Sequence, residues 1–387
     1  MAVPEQIKSY RNDLASIRHD FHEYPELGME EFRTSDIIAK LLGEWGITVH
    51  RGIGGETGLV GVLKNGSSAS SVGLRADMDA LPMDELGHVP YKSRNAGRMH
   101  ACGHDGHTTM LLGAARYLAE TRQFDGTVNF IFQPAEEGST GAVAMIRDGL
   151  FDRFPCDRIF GIHNWPGIDV GKSAINRGAV MAGGGFFEIV VRGVGSHAAR
   201  PDRAIDPMLT ACHIVTALQS ITSRNITTGK EAVVSVTRID GGHAYNIIPD
   251  CVVIGGTFRC FDMAVLREMR ERMQAIAAGV ATAFGASAEI RYPVEFLPTM
   301  NDPLCTDMMA SAAEEACGVG NVDRNAQAVM ASEDFSYMLD QVPGAYMFLG
   351  NGNSEMLHHP EYNFNDGALV YGVATLARVA EMALSAR

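Results

Sequence analysis

Three apolar runs in the first half of this chain each close on an acidic or imidazole side chain, and helical stretches separate them. That recurrence leaves few folds open. Residues 72–74 run into Arg-Ala-Asp-Met-Asp, which sets Asp77 and Asp79 at alternate positions of an extended segment. Residues 127–132 end in Gln-Pro-Ala-Glu-Glu-Gly, with Glu136 and Glu137 adjacent, and residues 158–162 close on His163. Strands that alternate with helices and end in ligand-type side chains predict an α/β domain, a mixed sheet with helices on both faces and its site along the carboxyl edge. Helical spacing supports this: Ile7, Tyr10, Leu14, Ile17 and Phe21 predict a helix over 6–22, and Leu111, Leu112, Ala115 and Leu118 one over 108–120. Thr34 or Ser35 is expected to cap a helix that stops at Gly43.

The densest stretch is 99–107, Met-His-Ala-Cys-Gly-His-Asp-Gly-His. It gathers a thiol and three imidazoles around a carboxylate, a composition suited to ligation rather than to core packing. Cys102 and His104 lie two residues apart, so both can face one cation in a bent segment. Adjacent carboxylates at a strand end point in different directions, so one of Glu136 and Glu137 can bind a cation while the other serves a water as general base. Near the end of the chain, Met-Leu-His-His-Pro adds His358 and His359. Cys102, His104, one of the glutamates, His163 and one of the late histidines exceed the three protein ligands of a single catalytic zinc. Two metal ions sharing a ligand fit better, and such a pair would lower the pKa of a water toward about 7 and polarise a carbonyl.

Near Gly178 the pattern changes. Gly183-Gly-Gly185 precedes a strand, and a loop Gly-Val-Gly-Ser-His-Ala-Ala-Arg-Pro, a helix over 206–224, strands at 232–239 and 252–258, a helix over 263–284 and a strand near 288–294 follow. This is a β-α-β-β-α-β module of about 110 residues, the size of a small inserted domain. The expected organisation is therefore a catalytic domain from 1–178 and 293–387 with an inserted domain at 179–292. The last segment supplies a helix after Pro303, Ser332-Glu-Asp-Phe as a capped helix start, a strand over 345–349 and a closing helix after Asp366. A length of 387 residues suits two cores, and 46% hydrophobic with 20% charged residues describes a folded globular chain. A net charge of -14 without a cluster of Lys and Arg excludes a nucleic-acid or anionic-membrane surface. The first residues lack a basic start followed by an apolar run, and no apolar run approaches the roughly 20 residues of a membrane span. Seven scattered cysteines, an odd number, suit reduced thiols, so a cytoplasmic location is expected.

The motif at 99–107, Phe-Gln-Pro-Ala-Glu-Glu-Gly, Gly-Ile-His, Gly-Ser-His-Ala-Ala-Arg-Pro and Leu-His-His-Pro together resemble the aminoacylase and hippurate-hydrolase branch of the co-catalytic metallopeptidases, which includes plant auxin-conjugate hydrolases. The resemblance runs in order from Arg18-His-Asp-Phe-His to the final helix. It implies two divalent ions, zinc or manganese with cobalt and nickel also compatible, held by Cys102, His104, Glu137, His163 and His358. It implies Glu136 as general base and Asp79 as the residue that holds a ligand from behind. From the inserted lid domain it implies His197 for the oxyanion, and Asn246 and Arg259 for the substrate's carboxylate end, where a guanidinium binds bidentately. It implies a small N-acyl amino acid as substrate and a dimer formed through the lid. One departure concerns the wider family, which usually has a metal-binding His two residues before the Asp of the first strand-end motif. Asp77 stands there, and Cys102 supplies the ligand in this branch; thiolate favours zinc, whereas carboxylate tolerates manganese.

The expected reaction is hydrolysis of the amide bond of an N-acyl or N-aroyl amino acid to a carboxylic acid and an amino acid. A thiol hydrolase with Cys102 as nucleophile and His104 or His107 as base is an alternative that chelator sensitivity would separate. A metal phosphohydrolase built on His104-Asp105 lacks a phosphate-cradling glycine loop. The non-enzymatic alternative keeps the fold and metal without turnover, and an intact Glu136 argues against it.

Overall fold

The structure, a computed structural model, describes residues 3–138 and 141–385. The chain divides into two compact units, the first from residues 1–180, 299–327 and 334–387, the second from 181–298 and 328–333.

In the first unit the expected opening helix is two, α1 (Glu5–Ser9) and α2 (Arg11–Glu23), joined at Tyr10. Ile7, Leu14 and Phe21 are fully buried and lie on one stripe. Helix α3 (Phe32–Glu44) starts before the expected caps. The Glu26 carboxylate, from the preceding loop, accepts the N–H groups of Arg33 and Thr34 at 3.0 and 2.8 Å, which satisfies donors that Thr34 or Ser35 would otherwise cap. The first strands are β1 (Thr48–Arg51), β2 (Leu59–Asn65), β3 (Ser71–Asp77), β4 (Gly126–Gln133) and β5 (Arg158–Trp165). Helix α4 (His104–Thr121) lies between β3 and β4.

These strands form an eight-stranded mixed sheet in the order β1, β2, β4, β3, β5, Gly344–Gly350, Ser173–Ala174, Val322–Asp323. The centre is parallel: β4, β3, β5 and Gly344–Gly350 run side by side in one direction. Strand β1, whose Thr-Val-His-Arg sequence carries no apolar alternation, pairs antiparallel with β2 at the edge. One face packs Leu74, Phe130, Phe132, Phe160 and Met347 against Leu111 and Leu112 of α4 and Leu369, Val373 and Leu376 of the closing helix Leu369–Ala383. Helices Gly141–Arg147 and Phe335–Gln341 cover the other face. With both faces covered, the central strands read as near-continuous apolar runs, and polar side chains collect at their carboxyl ends, where Asp77, Gln133 and His163 are buried.

The second unit is an antiparallel four-stranded sheet in the order Ala232–Asp240, Cys251–Cys260, Gly183–Arg192, Ser287–Phe296. Phe187, Ile189 and Val191 alternate inward against Ile214 and Leu218 of helix Pro207–Leu218 and Met269 and Met273 of helix Met263–Ala283. Asp206 and Asp262 cap these helices, each accepting two backbone N–H groups. The helix expected over 206–224 ends at Leu218 and is followed by a wider π-type turn at Ile221–Asn225. Among the described residues no helix is long and apolar enough to cross a membrane.

Candidate metal centre

Four segments of the first unit bring ligand-type side chains together. Gly103 enters α4 at φ +92°, and a Cβ there would stand 2.3 Å from Asn164 Oδ1, so only glycine fits and His104 starts the helix directly. Cys102 precedes that turn, and its Sγ lies 3.4 Å from Nε2 of His163, near the end of β5. The turn after β4 carries Glu136 and Glu137, with Ala135 held at φ +49°. His358 is also left-handed, at φ +65°, and its N–H donates to Ala101 O at 2.8 Å, which fixes it beside Cys102.

Cys102, His104 and His163 each offer a ligand atom within 4.8 Å of the others, as do Cys102, Glu137 and His358, and His104, Glu136 and Glu137. His104 Nε2 stands 3.9 Å from Glu137 Oε1, which in turn is 3.3 Å from His358 Nε2. The structure thus gathers Cys102, His104, Glu136, Glu137, His163 and His358, with Asp79 directly behind.

A divalent cation fits this set on two observations. His104 Nε2 is buried and makes no hydrogen bond, a costly state unless something takes it, and Glu137 Oε1, buried beside it, faces the His358 imidazole at 3.3 Å. The charge balance agrees. Burial would depress the His104 imidazole, but Asp77, Asp79 and Glu137 outweigh it and push its pKa up to about 10. Burial works against the Glu137 carboxylate, yet His358 and His104 hold it below the usual carboxylate range. At His163, burial and then the neighbouring His107 ring push the pKa well down, so the imidazole stays neutral, the form that ligates.

Behind the ligands lies a hydrogen-bonded layer. Asp79 accepts His104 Nδ1–H at 3.1 Å and Glu137 N–H at 3.0 Å. The first bond orients the His104 ring with Nδ1–H toward Asp79 and Nε2 toward the cluster. His163 Nδ1 donates to Asn164 O at 2.7 Å with the same effect. His107, a candidate thiol base from sequence, has both nitrogens engaged: Nδ1 donates to Asp77 at 2.6 Å and Nε2 meets Asn164. The Asn164 side chain bridges on to the Tyr362 hydroxyl at 2.6 Å. Asp77 also takes Arg75 Nη1 at 2.7 Å, and Arg75 reaches Gln133 and Asp334. Asp334 occupies the N-cap of Phe335–Gln341 without capping it; its carboxylate accepts from Gln133, Arg75 and Ala142 N–H instead. Its backbone N–H points at Glu136 Oε1, 3.4 Å away.

Sequence reasoning missed Arg75, Asn164, Tyr362 and Asp334. The one available signal was Arg75 itself, a charged residue inside an apolar run, which must find partners once buried.

The second unit holds the remaining candidates. His197 is exposed on the short strand Ser196–His197, which pairs with Ile247–Ile248, and its Nδ1 accepts Ala199 N–H at 3.0 Å. Asn246 O accepts Ala198 N–H at 2.9 Å. Arg259 sits on Cys251–Cys260, where Nη1 donates to Gly185 O, Thr257 Oγ1 and Phe258 O, so that part of the guanidinium is committed within its own sheet.

The model of peptidase family M20/M25/M40 matches residues 73–382. Among curated proteins, hippurate hydrolase of Campylobacter jejuni is 43% identical, covering 98% of both chains. N-acetyl-L-cysteine deacetylase of Bacillus subtilis is 38% identical over 95% of this chain and 87% of its own. Among solved structures, a dinuclear metal-binding peptidase of the M20 family from Bacillus subtilis superposes with a TM-score of 0.84 at 33% identity, covering 97% of this chain and 99% of its own.

Proposed function

The chain belongs to peptidase family M20/M25/M40, and from that premise we propose that it hydrolyses the amide bond of N-acyl or N-aroyl amino acids, using two divalent metal ions. The observation that carries this reading is the meeting of buried ligand atoms, His104 Nε2, which makes no hydrogen bond, and Glu137 Oε1, which faces His358, set among Cys102 and His163 beside a second carboxylate, Glu136. We assign Cys102, His104, Glu137, His163 and His358 as the ligands. Bound there, divalent ions supply Lewis acidity toward an amide carbonyl and lower the pKa of water. The thiolate favours zinc, and the carboxylate and imidazole share leaves manganese, cobalt and nickel compatible.

The protein's own groups do the rest. Glu136 is the general base: its carboxylate is buried at the same turn as Glu137, where it takes the proton of the attacking water and returns it to the leaving nitrogen. Asp79 keeps His104 in the ligating tautomer and steadies the Glu136-Glu137 backbone. We assign the second unit the roles of lid and dimer contact, His197 stabilising the oxyanion and Asn246 and Arg259 taking the substrate carboxylate. A cytoplasmic dimer of this kind acts on small acylated amino acids.

One contact favours a second reading. Cys102 Sγ lies 3.4 Å from His163 Nε2, a thiol and imidazole within reach of each other, so the base of a thiol hydrolase would be His163 rather than His104 or His107. The deciding experiment is release of amino acid from a panel of N-acetyl and N-benzoyl amino acids by metal-stripped protein, before and after adding zinc, manganese or cobalt. Activity lost on stripping and restored by metal is the expected result. Activity indifferent to stripping would transfer the reaction to Cys102, and no release under any metal would reject amide hydrolysis of this substrate class.

A further inference from the structure

The turn that carries Glu136 cannot hold its shape unaided. Ala135 is a non-glycine residue at φ +49°, a conformation that persists only where its surroundings impose it. Pro134 precedes it and has no N–H to help. Two amides flank Glu136, and each is gripped by a carboxylate from elsewhere in the chain. Ala135 N–H donates to Glu31 Oε1 at 2.8 Å, and Glu137 N–H donates to Asp79 Oδ2 at 3.0 Å.

Glu31 stands where a helix cap would, at the N-cap of α3, but makes no capping bond. Glu26 does that work instead, leaving the Glu31 side chain to turn inward. It is completely buried, and its second oxygen accepts the Thr57 hydroxyl at 2.7 Å. The segment around it lies hard against the turn: a Cβ on Gly28 would stand 2.9 Å from Ala135 Cβ. The same segment is tied to Asp79's neighbour, since Ala80 N–H donates to Glu26 O at 2.8 Å and Leu27 bridges Ala80. One loop therefore braces both carboxylates that hold the turn.

We propose that Glu31 is a positioning residue for amide hydrolysis, holding the Ala135 amide so that Glu136 presents its carboxylate in the orientation a general base requires. This rests on the assignment of Glu136 as base. It predicts that what matters at position 31 is an acceptor aimed at Ala135, more than negative charge. Glutamine keeps that acceptor and can donate its amide N–H to Thr57; leucine keeps the buried volume and removes the acceptor.

The test compares Glu31→Gln and Glu31→Leu with the wild type as metal-loaded full-length protein, on the N-acetyl and N-benzoyl amino acid panel. Metal content and thermal midpoint are measured alongside kcat and KM. Glu31→Leu should lose roughly 10- to 100-fold in kcat, the scale seen when an outer hydrogen bond around a reactive group is removed, with KM within about threefold and the metal retained. Glu31→Gln should restore most of that loss. Wild-type kcat in Glu31→Leu overturns the proposal, and so does equal impairment of both variants or a loss of kcat that only tracks lost metal. Glu136→Gln, run in parallel, separates the two claims. If it turns over normally the base assignment fails, whereas an inactive Glu136→Gln beside a fully active Glu31→Leu rejects the positioning role alone.

Discussion

Asp79→Asn tests the centre where its geometry is most constrained. Asp79 is buried, and both of its oxygens accept from donors: His104 Nδ1–H at 3.1 Å and Glu137 N–H at 3.0 Å. Asparagine has one acceptor and one donating NH2, so whichever way the amide is turned, a donor faces a donor. If the oxygen stays with Glu137, the His104 imidazole must release Nδ1–H or lose its partner, and the tautomer that offers Nε2 to a cation is no longer favoured. If the oxygen turns to His104, the Glu137 amide is left buried and unsatisfied. Either outcome forfeits one hydrogen bond to a charged group, about 1.5–3 kcal/mol. At about 1.4 kcal/mol per factor of ten, that is roughly 10- to 150-fold, expressed in metal affinity for the first arrangement and in kcat for the second. Competition with a chromophoric chelator gives the affinity, and turnover at saturating metal gives the rate. A variant within about threefold of wild type on both measures would mean that Asp79 does not set the His104 tautomer, and the assignment of His104 Nε2 as a ligand atom would lose its support.

Other outcomes follow from the same geometry. Glu136→Gln should keep both metal equivalents by atomic absorption while kcat falls by about 100-fold or more, the contribution of a positioned base; near-normal rates would remove Glu136 from that role. Cys102→Ser should lower metal content in step with activity, whereas a fully metallated but inactive variant would revive the thiol nucleophile. His22 supplies a pH signature. Burial opposes its charged form, but Asp105 at 2.8 Å and Glu85 at 3.3 Å prevail and push its pKa up to about 9. Unfolded, the group titrates near 6.5, so the native state binds the extra proton between these values. The resulting stability, on the order of 3 kcal/mol, is complete below about pH 6.5 and lost as pH rises through about 9. Urea midpoints at pH 6.5 and 9.5 should differ less in His22→Gln than in the wild type; an unchanged difference would show that His22 is not protonated in the fold.

The strand ends, the helix stripes and the candidate ligand cluster were legible because each is a local pattern: Leu74, Phe132 and Ile162 lead directly into their polar termini, and Cys102 and His104 stand in the chain's densest run of ligand-type side chains. Of the layer of carboxylates behind the cluster, only Asp79 was named as such, and that by resemblance to a family; the pairings of the layer could not be read. Glu31, Asp77, Asp79, Asp105 and Asp334 follow strand ends or open helices, the places where short acidic side chains ordinarily form solvated turns and caps. All five are nevertheless buried, and a buried carboxylate is tolerable only with partners. Those partners lie far along the chain: Ala135 is 104 residues from Glu31, His22 is 83 from Asp105, and Arg75 is 259 from Asp334. No periodicity encodes such pairings, so from sequence each acid competes with its own ordinary reading as a cap. The exception is instructive. Arg75 is buried in a strand where a guanidinium has no other reason to be, and it touches Asp77, Asp334 and Gln133, tying β3 to the ends of both neighbouring segments that frame Glu136. Buried charge out of place is therefore the sequence signal for this hidden layer. It marks which residues must be satisfied, and only the fold says by whom.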